Sequence, residues 1–423
     1  MYMNYTGDKP LTVLMLVQSL PPLPAGGAEI QALRLGRELA SLGIRVLFIT
    51  PGVGRVKGKD TCDGMPVFRL HSPLNYLLDL LFVVKKKTAR PVSKIEYDDT
   101  KETTDAITTP VNLGARLRYI VFFINAWFFL RKRKREIDII HTHTIEWPAY
   151  VGALLSRLFG KKLVVKDSTM NGIFSILRYP AGERKRALII QQAHFVAMTK
   201  VIKENFLKAG VPADRIHAIP NGIAPDGKMW QPLAGAARKV LFVGNLYQQP
   251  AKGVDILLKA WVTVQHTVPG ASLYVAGDGE LEAYKKYVSD LGIAGSVHFL
   301  GKQSDVTGLL LQCSLFVLPS RREGMPNALM EAMMRGVPCI ATNISGCQDL
   351  IADQVNGLLV PVADVGRLAA AIVYMLEHPE AAAAMGAKAR ETVCRDFTIQ
   401  LVAEKYAALY KSLVPSVNQT LVL

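Results

Sequence analysis

Glu323-Gly324-Met325-Pro326-Asn327-Ala328-Leu329-Met330-Glu331 sets one carboxylate before a helix start and one within it, with a glycine in the loop between. The apolar run Leu315-Phe316-Val317-Leu318 and Pro319 precede it, and the pattern predicts a strand there and a helix over 328–334, closed by Gly336 and Pro338. Pro326 suits that helix's first turn, where its missing N–H costs nothing. A strand, a glycine loop and a helix N-terminus make an anion site, because the first N–H groups lack intrahelical acceptors and the helix dipole points at them. Phosphate held there, flanked by carboxylates that accept hydrogen bonds from hydroxyls, suits a sugar joined to a nucleotide by a diphosphate. Taken alone, the two glutamates would also fit a surface loop and a solvated helix residue.

The elements that must position these residues follow an α/β rhythm. Leu11–Val17 reads as a buried parallel strand, Pro21–Gly27 as a turn-rich loop, Ile30–Leu42 as a helix stopped by Gly43, and Arg45–Thr50 as a second strand. Strand, helix and strand in so short a span make a βαβ unit and predict a doubly wound domain. Further strands are expected at Asp138–His141, Lys162–Val165 and Phe195–Met198. The rhythm repeats in a second half, with strands at Val240–Val243, Ser272–Ala276, Val297–Leu300, Leu315–Leu318 and Cys339–Thr342. Helices are expected there at Val254–His266 and Gly366–Leu376, with a last one at Ile399–Leu413, and Val414–Leu423 reads as frayed.

A chain of 423 residues is ample for two domains. Its net charge of +15 calls for an anionic partner. No zinc-finger spacing, RNA-recognition signature or basic recognition helix is present, so phosphorylated substrates and an anionic membrane surface are expected ahead of nucleic acid. The 5 cysteines are odd in number, widely spaced and without C-x-x-C, which predicts reduced thiols in a cytosolic compartment. No signal-peptide core opens the chain. An insert near 74–135 breaks the rhythm. Tyr76–Val84 is apolar and leads to Lys85-Lys86-Lys87, Lys94–Thr109 is polar, and Tyr119–Leu130 is aromatic and aliphatic and leads to Arg131-Lys132-Arg133-Lys134-Arg135. The last apolar run is shorter than the roughly 20 residues of a membrane span. Two apolar-then-basic runs predict an interfacial helix on anionic lipid; the alternative is a core helix with a solvated cationic end.

These motifs resemble the retaining glycosyltransferases of family 4, which share the GT-B fold. The family hallmark appears as Glu323-Gly324-Met325-Pro326, Glu331-Ala332 and Gly336-Val337-Pro338-Cys339-Ile340-Ala341. Gly26-Gly27-Ala28-Glu29, Ile140-His141-Thr142-His143, Ile219-Pro220-Asn221-Gly222-Ile223, Val243-Gly244, Lys252-Gly253, Ala276-Gly277-Asp278-Gly279 and Phe299-Leu300-Gly301 follow in family order. The resemblance implies two Rossmann-like doubly wound domains facing across a cleft: 1–215 for the acceptor, 216–395 for the sugar nucleotide, and 396–423 crossing back to the first. It implies that Glu331 accepts hydrogen bonds from ribose hydroxyls and that Glu323 faces the donor sugar. Backbone N–H groups around Gly324, Met325 and Asn327 would contact sugar hydroxyls, and those near Leu329 the diphosphate. Lys252 would neutralise phosphate, with Gly244, Asn245 and Gly277 beside the donor. Gly27 would let backbone approach the same diphosphate. His143, in the loop beyond a strand ending at His141, would lie near the bond that breaks. Gly26, Lys166 and Asp167 join it on the acceptor side.

The implied reaction moves a sugar, with retention, from a nucleotide diphosphate (UDP favoured, GDP possible) to a lipid-linked or glycan acceptor. The site would be the cytoplasmic face of a bacterial membrane. No cofactor is expected, and without a D-x-D motif no metal. One departure stands out: Asn245 occupies a position where the family usually has Arg, with Arg321, Arg322 or Lys166 as alternative cations. A non-catalytic nucleotide-sugar-binding protein, an epimerase and a phosphorylase are the competing readings.

Overall fold

The computed structural model describes residues 9–75 and 113–414, apart from 24, 54–55, 170, 233–237, 248–250, 280 and 304. The expectations for Tyr76–Val84, Lys85-Lys86-Lys87 and Lys94–Thr109, and for the chain beyond 414, lie outside the described residues. The chain divides into two compact units. The first runs to Gly222 and takes back the chain from Ile399 onward; the second holds Ile223–Thr398.

The first unit has an eight-stranded sheet, ordered β3-β4-β2-β1-β5-β6-β7-β8. Its strands are β1 (Thr12–Leu16), β2 (Arg45–Pro51), β3 (Gly58–Cys62), β4 (Met65–Leu70), β5 (Ile139–Thr142), β6 (Lys162–Lys166), β7 (Ala193–Ala197) and β8 (Ile216–Ala218). All neighbours pair in parallel except β3 with β4. The central strand β1 is buried along its whole length, as expected where helices cover both faces. Helix α1 (Gly27–Ser41) starts earlier than its apolar spacing suggests, because the Glu29 carboxylate accepts the Gly26 N–H at 3.0 Å and closes the first turn. The β3–β4 hairpin is an element that apolar periodicity misses, since β3 is polar and exposed. Its signal is the turn Asp63-Gly64, with φ of 50° and 76°, as a two-residue hairpin loop requires.

Helix α2 (Leu113–Arg133) buries Val121, Phe122, Ala126, Phe129 and Leu130 in the first unit and leaves Ile120, Ile124 and Phe128 exposed. The core-helix alternative therefore describes one of its faces, and the other remains apolar and open. Among the described residues no helix is long and apolar enough to cross a membrane. Helix α3 (Trp147–Phe159) follows β5 and ends at Gly160, whose φ of 65° stops it. The returning helix, Ile399–Leu413, completes the core with Val402, Tyr406 and Tyr410.

The second unit is an all-parallel six-stranded sheet, ordered β11-β10-β9-β12-β13-β14. Its strands are β9 (Lys239–Val243), β10 (Ser272–Ala276), β11 (Val297–Gly301), β12 (Leu315–Leu318), β13 (Cys339–Thr342) and β14 (Leu358–Val360). The chain starts in the middle at β9, builds outward to β11, then crosses back to lay β12 on the other side of β9. That reversal is the switch point at which doubly wound sheets bind ligands, beyond the carboxyl ends of the strands. The first sheet reverses in the same way between β1 and β5. Helix α4 (Val254–Thr267) packs Trp261 fully inside, with its Nε1–H donating to Ser296 Oγ at 3.0 Å.

Tyr406 is wholly buried and its hydroxyl has no partner among the described residues. Tyr406→Ala should cost about 3–5 kcal/mol, as for other large aromatic deletions. Tyr406→Phe should leave stability unchanged or raise it by about 1 kcal/mol, because it removes an unsatisfied buried group. Urea unfolding of both variants checks the pair.

Candidate functional site

In the second unit the loops leaving β9 and β12 flank the switch point, and their backbones are locked together. Gly253 has φ +64°, and a Cβ there would lie 1.9 Å from the Pro319 carbonyl oxygen. The Arg321 N–H donates to the Ala251 carbonyl at 2.8 Å. The Arg321 guanidinium donates to both oxygens of Asp255, in the first turn of α4, at 2.7 Å each, with both side chains buried. This lock brings Lys252 to Glu323: Lys252 Nζ donates to Glu323 Oε1 at 2.7 Å, and Ser320 Oγ donates to the same oxygen at 2.8 Å. The pair is half-open, with side chains 18% and 11% exposed. The Thr342 hydroxyl donates to the Ser320 carbonyl and fixes the loop from β13.

Helix α5 (Asn327–Arg335) begins directly after this loop. Pro326 is its cap residue, with extended φ −76° and ψ 112°, and not a member of the first turn, so the helix starts one residue before the expected Ala328. The first intrahelical bond runs from the Met330 N–H to the Pro326 carbonyl at 3.2 Å. The N–H groups before it therefore point out of the helix N-terminus, beside Glu323. Met325 and Leu329 turn their side chains into the core and offer only backbone. Glu331 lies one turn along α5, partly buried. Gly277 lets the end of β10 lie against that of β9, since a Cβ would meet the Gly244 carbonyl oxygen at 1.8 Å. Asn245 caps its own turn, its Oδ1 accepting the Tyr247 N–H at 2.9 Å. Arg321 is committed to Asp255.

In the first unit, Gly26 and Gly27 begin α1 after β1, and His143 follows β5, on either side of that sheet's switch point. The strand runs to Thr142, one residue beyond the expected His141. Residues two apart share a face, and the rings of His141 and His143 sit 4.4 Å apart by centroid. His141 Nδ1 lies 2.6 Å from the Tyr410 hydroxyl, and burial, then Lys166, pushes its pKa down to about 3. His143 lies just beyond the end of β5 and is 2% exposed. Burial, then His141 and Lys166, holds it well below its ordinary value, and neither ring nitrogen has a partner among the described residues.

Lys166 and Asp167, expected on the acceptor side, are also buried. Lys166 Nζ donates to Asn221 Oδ1 at 2.6 Å, and burial pushes its pKa down to about 7. Asp167 Oδ1 accepts from the Thr169 N–H at 2.9 Å and the Thr169 hydroxyl at 3.0 Å. Burial pushes Asp167 up to about 7, against the pull of its hydrogen bonds from Thr169, Ile173 and Gly172. Asp167 thus holds the loop beyond β6, and Lys166 the segment beyond β8. The sequence reading missed Ser320, Asp255 and the return-helix tyrosines; Asp255, three residues after Lys252, and Ser320, three before Glu323, lay close enough to a motif to be suspected.

Gly253→Ala should lose roughly 2–4 kcal/mol, from positive φ and overlap with a carbonyl, by urea unfolding. Lys166 gives a pH signature. Its folded pKa is about 7 against an ordinary 10.5, so the folded state binds fewer protons in that window. Its burial penalty is full below pH 7 and fades as pH rises. The stability of Lys166→Met minus that of the wild type should thus be greatest below pH 7 and fall steadily above it. A pH-independent difference would contradict this.

The comparisons with known proteins bear on both halves of the chain. Residues 25–226 match the model for Glycosyltransferase Family 4, and residues 237–378 the model for Glycosyl transferases group 1. The UDP-Gal:alpha-D-GlcNAc-diphosphoundecaprenol alpha-1,3-galactosyltransferase of Escherichia coli is 26% identical over 306 residues, 67% of this chain and 77% of that protein. The GDP-mannose-dependent alpha-(1-6)-phosphatidylinositol monomannoside mannosyltransferase of Mycobacterium tuberculosis is 31% identical over 212 residues, 48% of this chain and 54% of that protein. The crystal structure of Anabaena HepE in complex with UDP-glucose matches with a TM-score of 0.69 at 20% identity, covering 95% of this chain and all of that one. Two mainly parallel α/β sheets, each with a switch point, the Glu323-to-Glu331 loop and helix, and these matches together identify the chain as a family 4 glycosyltransferase of GT-B fold.

Proposed function

We propose that the protein transfers a hexose, with retention of configuration, from a nucleotide diphosphate sugar to a lipid-linked acceptor in bacterial surface-glycan synthesis. The observation that carries the donor reading is the Lys252–Glu323 pair at 2.7 Å, beside the N-terminus of α5. An ammonium, a carboxylate and a row of outward N–H groups are what a sugar diphosphate needs: cation and N–H groups for phosphate, carboxylate for sugar hydroxyls. Glu331 would accept from the ribose hydroxyls, and the Gly324-to-Asn327 backbone from the opposite sense would donate to the sugar. Gly244, Asn245 and Gly277 would border the base and diphosphate.

As the glycosidic bond breaks, positive charge spreads over the anomeric carbon and ring oxygen, and negative charge gathers on the leaving diphosphate. Lys252 and the α5 N-terminus stabilise that negative charge without reorganising, which is the larger part of such catalysis. Glu323, held by Lys252 and Ser320, orients the sugar. The leaving phosphate oxygen takes the acceptor's proton on the same face. Gly27 would bring backbone to the donor diphosphate; on the acceptor side, Gly26 would offer backbone, and a substrate hydroxyl would supply the partner that the neutral His143 ring lacks. A uridine donor is favoured by the name of the Escherichia coli relative, a guanosine donor by that of the mycobacterial one. The apolar face and basic end of α2 support action as a peripheral protein at the cytoplasmic membrane face.

Thermal unfolding with UDP, GDP, ADP and CMP and their sugar conjugates, in EDTA, tests the donor. A single base should raise stability by roughly 2.7 kcal/mol at ~100 times its dissociation constant, and Glu331→Ala should abolish that rise. Glu323→Ala should remove transfer while leaving the chain folded. Asn245→Arg should tighten diphosphate binding by about 1 kcal/mol or more through a second cation. A folded protein that no nucleotide stabilises would overturn the proposal.

A further inference from the structure

Where the chain leaves β13 it presses on the Glu323-Gly324 loop from a second side. The turn Ser345–Gln348 follows that strand, and a Cβ on Gly346 would lie 2.1 Å from the Gly324 carbonyl oxygen and 3.2 Å from that of Glu323. The first distance is far inside van der Waals contact, so only hydrogen fits there. Gly346 is not among the glycines of positive φ, so space alone calls for glycine at this position.

The turn has little room to recede. The Cys347 and Gln348 N–H groups both donate to the Ile344 carbonyl at 2.9 Å, and the Ile351 N–H donates to the Cys347 carbonyl at 2.8 Å. Cys347, Leu350 and Ile351 are buried, and the Asn343 N–H ties the segment to β14 through the Val360 carbonyl at 2.7 Å. Three residues before the turn, Thr342 donates to the Ser320 carbonyl. The contacts at Ser320 and Gly324 therefore bracket Glu323. Burial, then Glu323, raises the Cys347 thiol well above its ordinary value while Lys252 draws it down, so the turn also lies within the field of the Lys252–Glu323 pair.

The Gly324 carbonyl and the Met325 N–H belong to one planar peptide unit. A push on the carbonyl turns the whole unit and carries Glu323 with it. The atoms nearest a Cβ on Gly346 are all backbone of Glu323 and Gly324. Those are the groups assigned above to the donor sugar, whereas Lys252, Glu331 and the start of α5 are assigned to the nucleotide half.

We propose that Gly346 is a positioning residue for the donor sugar: by admitting the turn after β13 against the Gly324 carbonyl, it sets the Glu323-Gly324 backbone on which the sugar, and not the nucleotide, is read. This inference rests on the transferase reading above. An added methyl at 346 has backbone on its far side, so relief requires the partly exposed Glu323-Gly324 loop to shift.

Calorimetry on the full chain compares the wild type with Gly346→Ala. The probes are a nucleotide and its sugar conjugate, UDP with UDP-glucose or GDP with GDP-mannose, whichever pair stabilises the wild type. Gly346→Ala should bind the nucleotide within about threefold of the wild type, while the ratio of sugar-conjugate affinity to nucleotide affinity falls tenfold or more. A purely structural role would weaken both ligands alike and leave the ratio unchanged, and that result would overturn the proposal. If the variant does not fold, amide hydrogen exchange on the wild type decides. The sugar conjugate should slow exchange at Cys347 and Gln348 more than the nucleotide alone does, and equal exchange would overturn the proposal. A wild type that no nucleotide stabilises removes the transferase reading and this inference with it. A wild type that binds the sugar conjugate, with an unchanged ratio in Gly346→Ala, removes this inference alone.

Discussion

The second unit's site depends on one close approach, the Gly253 α-carbon against the Pro319 carbonyl. Any side chain there would drive the two switch-point loops apart. The buried Arg321–Asp255 pair holds the same junction from beneath. A buried ion pair of this kind adds little net stability, since desolvation of both charges offsets their attraction. What it sets is register. With the loops locked, Lys252 and Glu323 have few other places to be, and a cation and a carboxylate stand together at the mouth of a helix. Preorganisation of that sort is what makes fixed charges effective in catalysis.

The first unit repeats the plan with different contents. Its switch point holds glycines after β1 and histidines at the end of β5 and just beyond it, but the polar groups there are sunk into the core. His141 is held by Tyr410 of the returning helix, and Lys166 by Asn221. Burial keeps the imidazoles neutral, so His143 can donate and accept at once but brings no charge to the site. The returning helix is therefore more than a closing element of the core, because it orients the histidine pair from a point far along the chain.

Most of the second unit was legible in the sequence. Ser272–Ala276, Leu315–Leu318 and Cys339–Thr342 begin and end where their apolar runs put them, as does the first unit's returning helix Ile399–Leu413. Buried parallel strands and amphipathic helices write their periods plainly. The elements that escaped lack that signal: β3 is polar, and β8 and β14 are three-residue strands at or near sheet edges. Within the site, motif residues were visible because their types are chemically restrictive. Their partners were not. Ser320 touching Glu323, Asp255 claiming Arg321 and Tyr410 reaching His141 are products of tertiary packing, and spacing along the chain carries no trace of the last.

The central claim is that Lys252 and Glu323 act as one device on a sugar diphosphate, and a double-mutant cycle on UDP affinity tests it most directly. Calorimetry would compare the wild type, Lys252→Met, Glu323→Gln and the double variant. Lys252→Met should weaken UDP tenfold or more. Glu323→Gln should tighten it, because free UDP has no sugar for the carboxylate to meet and the ammonium is released from its pair. The two effects should couple by about 1 kcal/mol or more. Strictly additive effects, or a Lys252→Met variant that binds UDP as the wild type does, would contradict the account.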